Sequence, residues 1–321
     1  MSRVLVVGVP RSGTTWVATI LGETRDAVYV EEPDNHLTHP FAFRAKHRLQ
    51  GGFYTALRPD HDPVDYAALW RAALGFPDHG PTPRPWAAMR RKLAVALWHS
   101  VRNEDIRRAF SDPIAVTTKL RVAGALAVPE GPPSTAHTVV AKSVYAALSV
   151  EWIATRFPVQ VVIVERDLLN VLSSWVALRW VGTPGDDMLD SLDPLVRDRL
   201  TAEHGVEPPP PGSSPLLRGT WLLGVLSLAL RTAAGRHPEW TVVRHEELCV
   251  DPGGGFRALA ASLGLEWTAD TDRLLADLDR PGSGIERVRS TAQLPGIWRS
   301  RLGPEQLEEI APLIERFALD G

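Results

Sequence analysis

Short apolar runs followed by amphipathic stretches of helical length form the dominant pattern along the chain. Apolar runs of four to eight residues bounded by glycine or proline are typical of buried strands. Strands are predicted in residues 4–7, 27–32, 113–120 and 240–248, and a strand with a following helix is predicted in each of residues 137–158 and 159–178. Strands that alternate with helices form parallel β-α-β units, so the pattern predicts an α/β fold with a parallel β-sheet flanked by helices.

Two irregular regions interrupt this alternation. Residues 37–112 place several prolines between predicted helices, and residues 182–215 contain the stretch EPPPPGSSP, which is typical of a polyproline-like surface loop. A long helix is predicted in residues 216–238, and the three glycines at 253–255 are interpreted as an ordinary loop. We therefore expect one domain over residues 1–321 in which the two irregular regions are insertions, the first of them helical.

Composition and charge narrow the possible partners. The 321 residues carry a formal net charge of −3, so no overall basic field favours nucleic acid or an anionic membrane. The single cysteine, Cys249, excludes an intrachain disulfide and a cysteine-cluster metal site. No apolar run approaches the roughly twenty residues that cross a bilayer, and the first strand leaves no room for a signal peptide. We expect a cytoplasmic protein, and the abundant Ala, Arg and Pro are typical of a GC-rich bacterial genome.

The segment VLVVGVPRSGTTW at residues 4–16 contains the first candidate site. Its glycines at 8 and 13, followed by two threonines, have the spacing of a P-loop between a strand and a helix. Thr14 stands where a nucleoside triphosphatase has its lysine, and the cation is Arg11 instead. Backbone N–H groups from Ser12 to Thr15 at a helix start form a cradle for an anion. The segment therefore predicts a phosphate site that does not handle a γ-phosphate as P-loop triphosphatases do.

The segment PRSGTTW resembles the loop that binds the 5'-phosphosulfate in sulfotransferases that use 3'-phosphoadenylyl sulfate (PAPS). The resemblance implies donor-binding roles for six residues of this loop: Arg11, Ser12, Gly13, Thr14, Thr15 and Trp16. A strand that ends at Arg166, with Ser174 eight residues later, is similar to the 3'-phosphate motif of the same family. Arginine suits that role because its planar guanidinium can make paired hydrogen bonds to a phosphate.

Two adjacent acids compete for the role of general base. Glu32 precedes Pro33 and is similar to the glutamate of the carbohydrate and tyrosylprotein branch of the family, where a carboxylate accepts the proton of the attacking hydroxyl. Glu31 is the alternative. Neighbouring residues of a strand point to opposite faces, so we expect only one of the two side chains to enter the cleft.

Lys142 follows a predicted strand and resembles the lysine of the family's Lys-Asp-Pro element. The resemblance implies that this lysine faces the bridging and sulfuryl oxygens. The chain departs from the family pattern here, because Ser143 and Val144 replace the aspartate and the proline. The geometry of the turn after Lys142 is therefore left open.

The C-terminal third contains two more segments that are similar to the family. WTVVRHEEL resembles a strand on the adenine side of the nucleotide, with His245 in the place of an aromatic residue. GIERVRSTAQLPGIWRSRL resembles the loop that closes over PAPS, and it offers Ser290 and three arginines, Arg287, Arg289 and Arg299. The resemblance implies that Ser290 helps Lys142 to stabilise the transferring group.

No metal is expected at the site. His36, His39, His47 and His61 lack the spacing of a zinc site. The tryptophans Trp70, Trp86 and Trp98 are candidates for stacking on an acceptor. Substrate identity is expected to be encoded in the insertions at residues 37–112 and 182–215, which carry no resemblance to the family.

These features together predict transfer of a sulfuryl group from PAPS to an acceptor hydroxyl, with release of 3'-phosphoadenosine 5'-phosphate (PAP). The proposed catalytic residues are Glu32, Arg11, Lys142 and Ser290. The acceptor is a small molecule or a carbohydrate, and its identity as a sugar, a phenol or a natural product is open, as is the oligomeric state. One alternative is a P-loop kinase with a Walker B strand that ends at Glu165. The other is a nucleotide-binding regulatory protein without turnover.

Overall fold

The structure is a computed structural model, and it describes residues 2–50, 52–77, 84–133, 135–181, 192–279 and 294–318. The sheet has five strands, β1 (Ser2–Val7), β2 (Ala27–Glu31), β3 (Thr138–Ser143), β4 (Gln160–Glu165) and β5 (Thr241–Arg244). Their order is β2-β3-β1-β4-β5, and all four neighbouring pairs are parallel. The predicted α/β fold with a parallel sheet is confirmed.

Helices connect and cover the strands. The described helices are α1 (Thr14–Gly22), α2 (Pro40–Leu49), α3 (Val64–Ala73), α4 (Arg84–Trp98), α5 (Asn103–Ser111), α6 (Thr118–Leu126), α7 (Val150–Arg156), α8 (Leu168–Ala177), α9 (Pro194–His204), α10 (Pro215–Arg236), α11 (His245–Val250), α12 (Pro252–Ser262), α13 (Ala269–Leu278) and α14 (Pro304–Ala318). Short 3-10 turns lie at Pro113–Ala115 and Ile297–Ser300. None of the helices within the described ranges is both long and apolar enough to cross a bilayer.

The central strand β1 separates two hydrophobic cores. Val4 and Val6 pack into a core with residues of α1, α12 and α13, whereas Leu5 and Val7 pack into a larger core with residues of α3, α8, α10 and α14. Alternate residues of a strand point to opposite faces, so an apolar run buried on both faces forms a central strand. This burial fixes β1 in the middle of the sheet, and the loop after β1 therefore lies between the ends of β3 and β4.

The helices of residues 40–126 form a further core. Phe43 of α2, Trp98 of α4, Ile106 of α5 and Leu120 of α6 are buried together in a cluster separate from the two sheet cores. This helical region follows β2 in the chain and contacts the sheet through α2 and α3. It therefore extends from the edge of the sheet at which β2 lies.

The strand predicted at residues 113–120 is wrong. This segment forms the 3-10 turn Pro113–Ala115 and the start of α6. Asp112 accepts a hydrogen bond from the N–H of Ile114, and Thr117 accepts one from the N–H of Leu120 at 3.3 Å. Side-chain caps of this kind satisfy the first N–H groups of a helix, so these two polar residues override the β-branched composition of the run.

Two boundaries near β5 also differ from the prediction. The strand predicted to extend through residue 248 ends at Arg244, and α11 begins at His245. The glycines predicted as a loop lie inside α12, because Asp251 caps that helix by accepting a hydrogen bond from Gly254 N–H at 2.9 Å and Pro252 occupies its first position. Capping chemistry thus outweighs the low helix propensity of glycine here.

Candidate active site

The loop between β1 and α1 forms one wall of the candidate site. Gly13 has a φ of 104°, in the left-handed region that favours glycine, and a Cβ atom added there would overlap the ring of His245. The first hydrogen bond of α1 runs from the Val17 N–H to the Gly13 carbonyl at 3.1 Å, so the N–H groups of residues 14–16 precede the helical pattern. These donors at a helix start suit an anion.

The predicted cradle of backbone N–H groups is wrong in one detail, which concerns Ser12. Its N–H donates to the Val9 carbonyl at 3.0 Å and closes the turn, so the backbone cradle begins at Gly13 and not at Ser12. The Ser12 hydroxyl is fully buried and, among the residues that the structure describes, has no hydrogen-bond partner. A buried donor without a partner is costly, so this hydroxyl fits a role in holding an anion.

The loop after β1 contacts the second predicted phosphate motif directly. Arg11 Nε donates to the Ser174 hydroxyl at 3.1 Å, and Arg166 donates from one terminal nitrogen to the Arg11 carbonyl at 2.9 Å. Trp175 of α8 donates its indole N–H to the Pro10 carbonyl at 3.0 Å. Two segments that lie more than 150 residues apart in the sequence are therefore joined in one site.

Arg166 is nearly buried at the end of β4. Burial lowers the pKa of its guanidinium to about 10, although Glu246 acts in the opposite direction, so the side chain is charged at neutral pH. Within the described ranges its Nε has no hydrogen-bond partner, and the nearest carboxylate oxygen, of Glu246, lies 3.9 Å away. This second orphaned buried donor fits a phosphate ligand.

His245 lies against the loop after β1 and packs edge-on to Trp16, with ring centroids 5.7 Å apart. Burial lowers the pKa of its imidazole to about 3, and the nearby Arg166 contributes in the same direction. The ring is therefore neutral at physiological pH. Cys249, one helical turn later, has its Sγ 3.6 Å from His245 Nδ1, and burial raises the pKa of its thiol to about 12. This thiol is protonated and unreactive.

The ends of β2 and β3 bring the candidate base and the candidate lysine together. Lys142 Nζ donates to the Glu32 carboxylate, and it also donates to the Thr15 hydroxyl at 3.1 Å. Asn35 donates its side-chain N–H to the other carboxylate oxygen of Glu32 at 2.8 Å. Glu31 is exposed, whereas Glu32 is the acid that contacts Lys142. This cluster touches the phosphate loop through Thr15.

Two residues of this site have left-handed backbone conformations. The φ angle is 73° at Arg11 and 44° at Glu32, a region that side chains with a Cβ atom adopt rarely. Such conformations cost about 1–3 kcal/mol each and persist where the surroundings hold them. Both candidate catalytic residues are thus held by their contacts and not by their own backbone preference.

The predicted closing loop is described only in part. Ser290, Arg287 and Arg289 lie outside the described residues. Arg299 is exposed, and its guanidinium lies over the ring of its neighbour Trp298 at 4.5 Å. The Trp298 N–H donates to the Asn170 side chain of α8 at 3.4 Å. The segment around Arg299 therefore adjoins the 3'-phosphate motif, without a recorded contact between Arg299 and that motif.

The candidate stacking tryptophans and the histidines have other surroundings. Trp70 and Trp98 are buried in hydrophobic cores, which contradicts a stacking role, whereas Trp86 is 59% exposed on α4. His36 is buried among aromatic rings, the nearest being Phe53 with a centroid distance of 4.2 Å. The part of the chain that the structure describes contains no group of three or more residues able to hold a metal ion.

A cavity of about 280 Å³ lies between β2 and the helices that follow it. Its walls are mainly apolar and come from β2, α2, α3, α4 and residues 127–132. Glu31 and Pro33, which flank Glu32, line one end, whereas Glu32 itself does not. The cavity therefore adjoins the end of β2 from the side of the predicted acceptor-binding insertion.

Several residues of the site were not predicted. Asn35 supports Glu32, Asp34 bonds to Ser143, and Lys46 lies beside Asp34. Asn35 stands three residues after Glu32, a spacing at which a turn brings side chains together, so this contact had a local signal. The partners of Asp34 are distant in sequence, and no local pattern marks them.

The chain matches the sulfotransferase family model over residues 3–202, which is more than half of its length. It therefore belongs to the sulfotransferase family, and the family predicted from the sequence is confirmed. The protein is an enzyme of that class. A search of curated proteins finds no significant match.

Solved structures similar to the chain include two sulfotransferases and a retinol dehydratase. The sulfotransferase domain of the Synechococcus PCC 7002 olefin synthase is 15% identical, with a TM-score of 0.43 and coverage of 99% of this chain and 94% of that chain. Sulfotransferase STF9 from Mycobacterium avium is 13% identical, with a TM-score of 0.40 and coverage of 98% and 76%. A retinol dehydratase in a complex with retinol and PAP is 15% identical, with a TM-score of 0.42 and coverage of 99% and 80%.

Proposed function

We propose that this sulfotransferase takes the sulfuryl group of PAPS and transfers it to the hydroxyl of a small-molecule or carbohydrate acceptor. The carrying observation is a pair of orphaned buried donors, the Ser12 hydroxyl and Arg166 Nε, in two motifs that Arg11 joins. The N–H groups at the start of α1 and the Ser12 hydroxyl would hold the 5'-phosphate. Arg166 and Ser174 would hold the 3'-phosphate.

The transfer itself would use the Glu32–Lys142 pair. An oxygen–sulfur bond forms to the acceptor, the bond from sulfur to the oxygen of the 5'-phosphate breaks, and the hydroxyl proton passes to the Glu32 carboxylate. Lys142 neutralises charge on the sulfuryl oxygens, and Arg11 neutralises charge on the leaving oxygen. In-line positioning and charge stabilisation dominate such reactions, as in phosphoryl transfer. Ser290 stays a predicted contributor.

The cavity beside β2 is where we place the body of the acceptor. Its apolar walls support this proposal, and so do Glu31 and Pro33 in its lining, because these are the two sequence neighbours of Glu32. An acceptor with an apolar body of modest size is therefore favoured over an extended polysaccharide. The insertion at residues 37–112 would select it.

A substitution at the cavity tests the acceptor site. Val95 lines the cavity, and Val95→Trp would fill part of it, so KM for the acceptor should rise about tenfold while PAPS affinity is unchanged. Ile114→Trp, at the exposed Ile114 of the 3-10 turn Pro113–Ala115, is the matched control. An unchanged acceptor KM in the Val95 variant would remove the cavity from the acceptor path.

Calorimetry with PAP, ADP and ATP, each with EDTA and with magnesium, tests the donor site. PAP should bind far more tightly than ADP, without magnesium, because only PAP carries the 3'-phosphate for which Arg166 and Ser174 are proposed. Release of PAP from PAPS should accompany sulfation of a phenol or an alkyl glucoside. Equal affinity for PAP and ADP, or a need for magnesium, would overturn the assignment and favour the kinase.

A further inference from the structure

The turn after Lys142 departs from the family pattern in sequence, but the structure places a carboxylate beside this turn from the loop after β2. The Ser143 hydroxyl donates to Asp34 Oδ1 at 2.6 Å and accepts the N–H groups of Tyr145 and Ala146, each at 3.0 Å. A serine that accepts such N–H groups fixes a turn. Asp34, from the loop after β2, thus stands beside the turn that follows Lys142.

Asp34 is fully buried, and its second oxygen also has partners. The hydroxyl of Tyr66 donates to Asp34 Oδ2 at 3.4 Å, and the ammonium of Lys46 lies 3.7 Å from the same atom. The Lys46 side chain is itself fully buried and donates to the Phe53 carbonyl at 2.8 Å. A buried carboxylate is tolerated when it is paired and hydrogen-bonded, and these partners meet both conditions.

The contact between Asp34 and Ser143 lies close in sequence to the two candidate reacting groups, Glu32 and Lys142. Asp34 is two residues after Glu32, and Ser143 is the residue after Lys142. A second side-chain hydrogen bond, in addition to the one from Lys142 to Glu32, therefore joins the loop that carries the candidate base to the strand end that carries the candidate lysine. The backbone adds one further link, because Glu32 N–H donates to the Lys142 carbonyl at 2.8 Å.

The conformation of Glu32 explains why such a link is needed. Its backbone has a φ of 44°, an unfavourable value that persists where contacts hold the residue in place. The Asn35 amide bonds to the Glu32 carboxylate, but Asn35 belongs to the same loop and moves with it. Asp34 anchors this loop to β3 through Ser143, so it adds a restraint on Glu32 that does not depend on the Glu32–Lys142 contact.

We propose that Asp34 and Ser143 form a positioning pair that takes the place of the aspartate expected after Lys142 and holds Glu32 and Lys142 at their working separation. The ammonium of Lys46 balances the charge of Asp34, so the carboxylates of Asp34 and Glu32 can both lie close to the site. The pair is assigned a positioning role and no contact to the donor or the acceptor. The proposal rests on the proposed function, since it assigns a task to the surroundings of Glu32 and Lys142.

Ser143→Ala is the main test, because it removes the link and leaves the Asp34–Lys46 pair in place. PAP titration by calorimetry counts the folded sites, and PAP release at saturating PAPS gives the rate per site. Phenol, an alkyl glucoside and water are the acceptor probes, and the one that wild type uses fastest is kept. The rate per site should fall on the order of tenfold, with unchanged PAP affinity.

A double variant adds a rescue. Asp34→Ser combined with Ser143→Asp moves the carboxylate to the position after Lys142 and keeps one hydroxyl and one carboxylate in the pair. The double variant should be faster per site than Ser143→Ala, and it should be faster than Asp34→Ser alone. Thr268→Ala is the matched control, because Thr268 caps α13 by accepting the Thr271 N–H at 3.2 Å and lies outside both insertions and the candidate site. It should lower thermal stability without changing the rate per site.

The possible outcomes distinguish a failure of the positioning pair from a failure of the proposed function. A wild-type protein that releases no PAP from PAPS with any of the three acceptors overturns the proposed function. The positioning pair alone is overturned by a different set of results. In that set the wild type is active, Glu32→Gln has a strongly reduced rate, and Ser143→Ala keeps the wild-type rate per site. A double variant no faster than its single variants also counts against the pair.

Discussion

The nucleotide side and the transfer side of the site are built in different ways. On the nucleotide side, each group sits in a short motif at the end of its own strand, β1 for the loop around Arg11 and β4 for Arg166 and Ser174. On the transfer side, Glu32, Lys142 and Asp34 act on one another across β2 and β3. In the proposed mechanism, local motifs therefore supply donor binding, and contacts between strands set up the transfer step.

The difference teaches where a substitution should act. A change in a local motif removes one contact to the donor and leaves the rest of the site in place, so it should alter affinity. A change on the transfer side alters the relative position of groups that act together, so it should alter the rate at saturation. Arg11 belongs to both sides, since it lies in the phosphate loop and faces the leaving oxygen in the proposed mechanism.

Glu32→Gln should give the largest effect. The amide cannot accept the proton of the acceptor, so turnover should fall by roughly 10²–10⁴ while PAP affinity stays close to wild type. Steady-state kinetics and calorimetry measure the two quantities. Glu31→Gln is the comparison variant, because Glu31 is the acid that competes with Glu32 for the role of general base. A slow Glu31 variant with an active Glu32 variant would exchange the roles of the two acids.

Arg11→Ala tests whether the two sides can be separated at their shared residue. The rate at saturating PAPS should fall by about 10²–10³, more than PAPS affinity falls, because the cation acts on charge that develops in the transition state. Arg11→Lys should recover part of the rate, and Ser174→Ala, which removes the 3.1 Å hydrogen bond but keeps the cation, should act mainly on affinity. A pure KM effect in Arg11→Ala would assign this residue to the nucleotide side alone.

Arg166→Ala should show the signature of the nucleotide side. PAP affinity should fall by about 2 kcal/mol or more, which is roughly 30-fold, because a charged hydrogen-bond donor is lost. ADP affinity should change little, since ADP has no 3'-phosphate. Calorimetry with both nucleotides gives the ratio, and an equal loss for PAP and ADP would mean that Arg166 only supports the loop through the Arg11 carbonyl.

His245 should make folding stability depend on pH. Its folded pKa of about 3 lies below the ordinary value of 6.5, so the unfolded chain binds a proton that the folded protein does not, and stability falls as pH falls below 6.5. The loss is about 2 kcal/mol at pH 5. Urea unfolding at pH 7 and pH 5 measures it.

His245→Gln should reduce the difference in unfolding free energy between the two pH values by about the same amount. The exposed His99 supplies the control variant His99→Gln, which should keep the wild-type difference. His36 on the transfer side is a second buried histidine whose pKa burial lowers, so part of the pH dependence should remain in the His245 variant. Identical pH dependence in the wild type and His245→Gln would contradict this account.

The sheet and the nucleotide side were predictable from the sequence because their signals are local. The apolar run at β1 and the glycines around Arg11 lie next to each other in the chain, as do β4 and the helix that carries Ser174. The errors at residues 113–120 and 253–255 came from caps, where one polar side chain decides between helix and loop. Such capping side chains weigh little in a pattern based on hydrophobicity.

On the transfer side, only Glu32 and Lys142 were predicted from the sequence. Glu32 and Lys142 were predicted from their resemblance to family elements at strand ends, and the contact with Lys142 then favours Glu32 over Glu31. Asp34 and Ser143 are separated by 109 residues, and Lys46 lies in a helix of the insertion. No spacing rule connects them, because their proximity follows from the pairing of β2 with β3.

The 2.6 Å contact between Asp34 and Ser143 has an evolutionary consequence. A carboxylate for this turn can be encoded at either position, but a lineage that moves it from one to the other must pass through an intermediate. With acids at both positions, two negative charges would meet in a dry interior, and with none, Lys46 would be left without its counter-charge. Both intermediates are unfavourable. Related proteins should therefore fall into two lineages, one with the carboxylate at position 34 and one with it at position 143. Residues 34 and 143 should differ together between the two lineages.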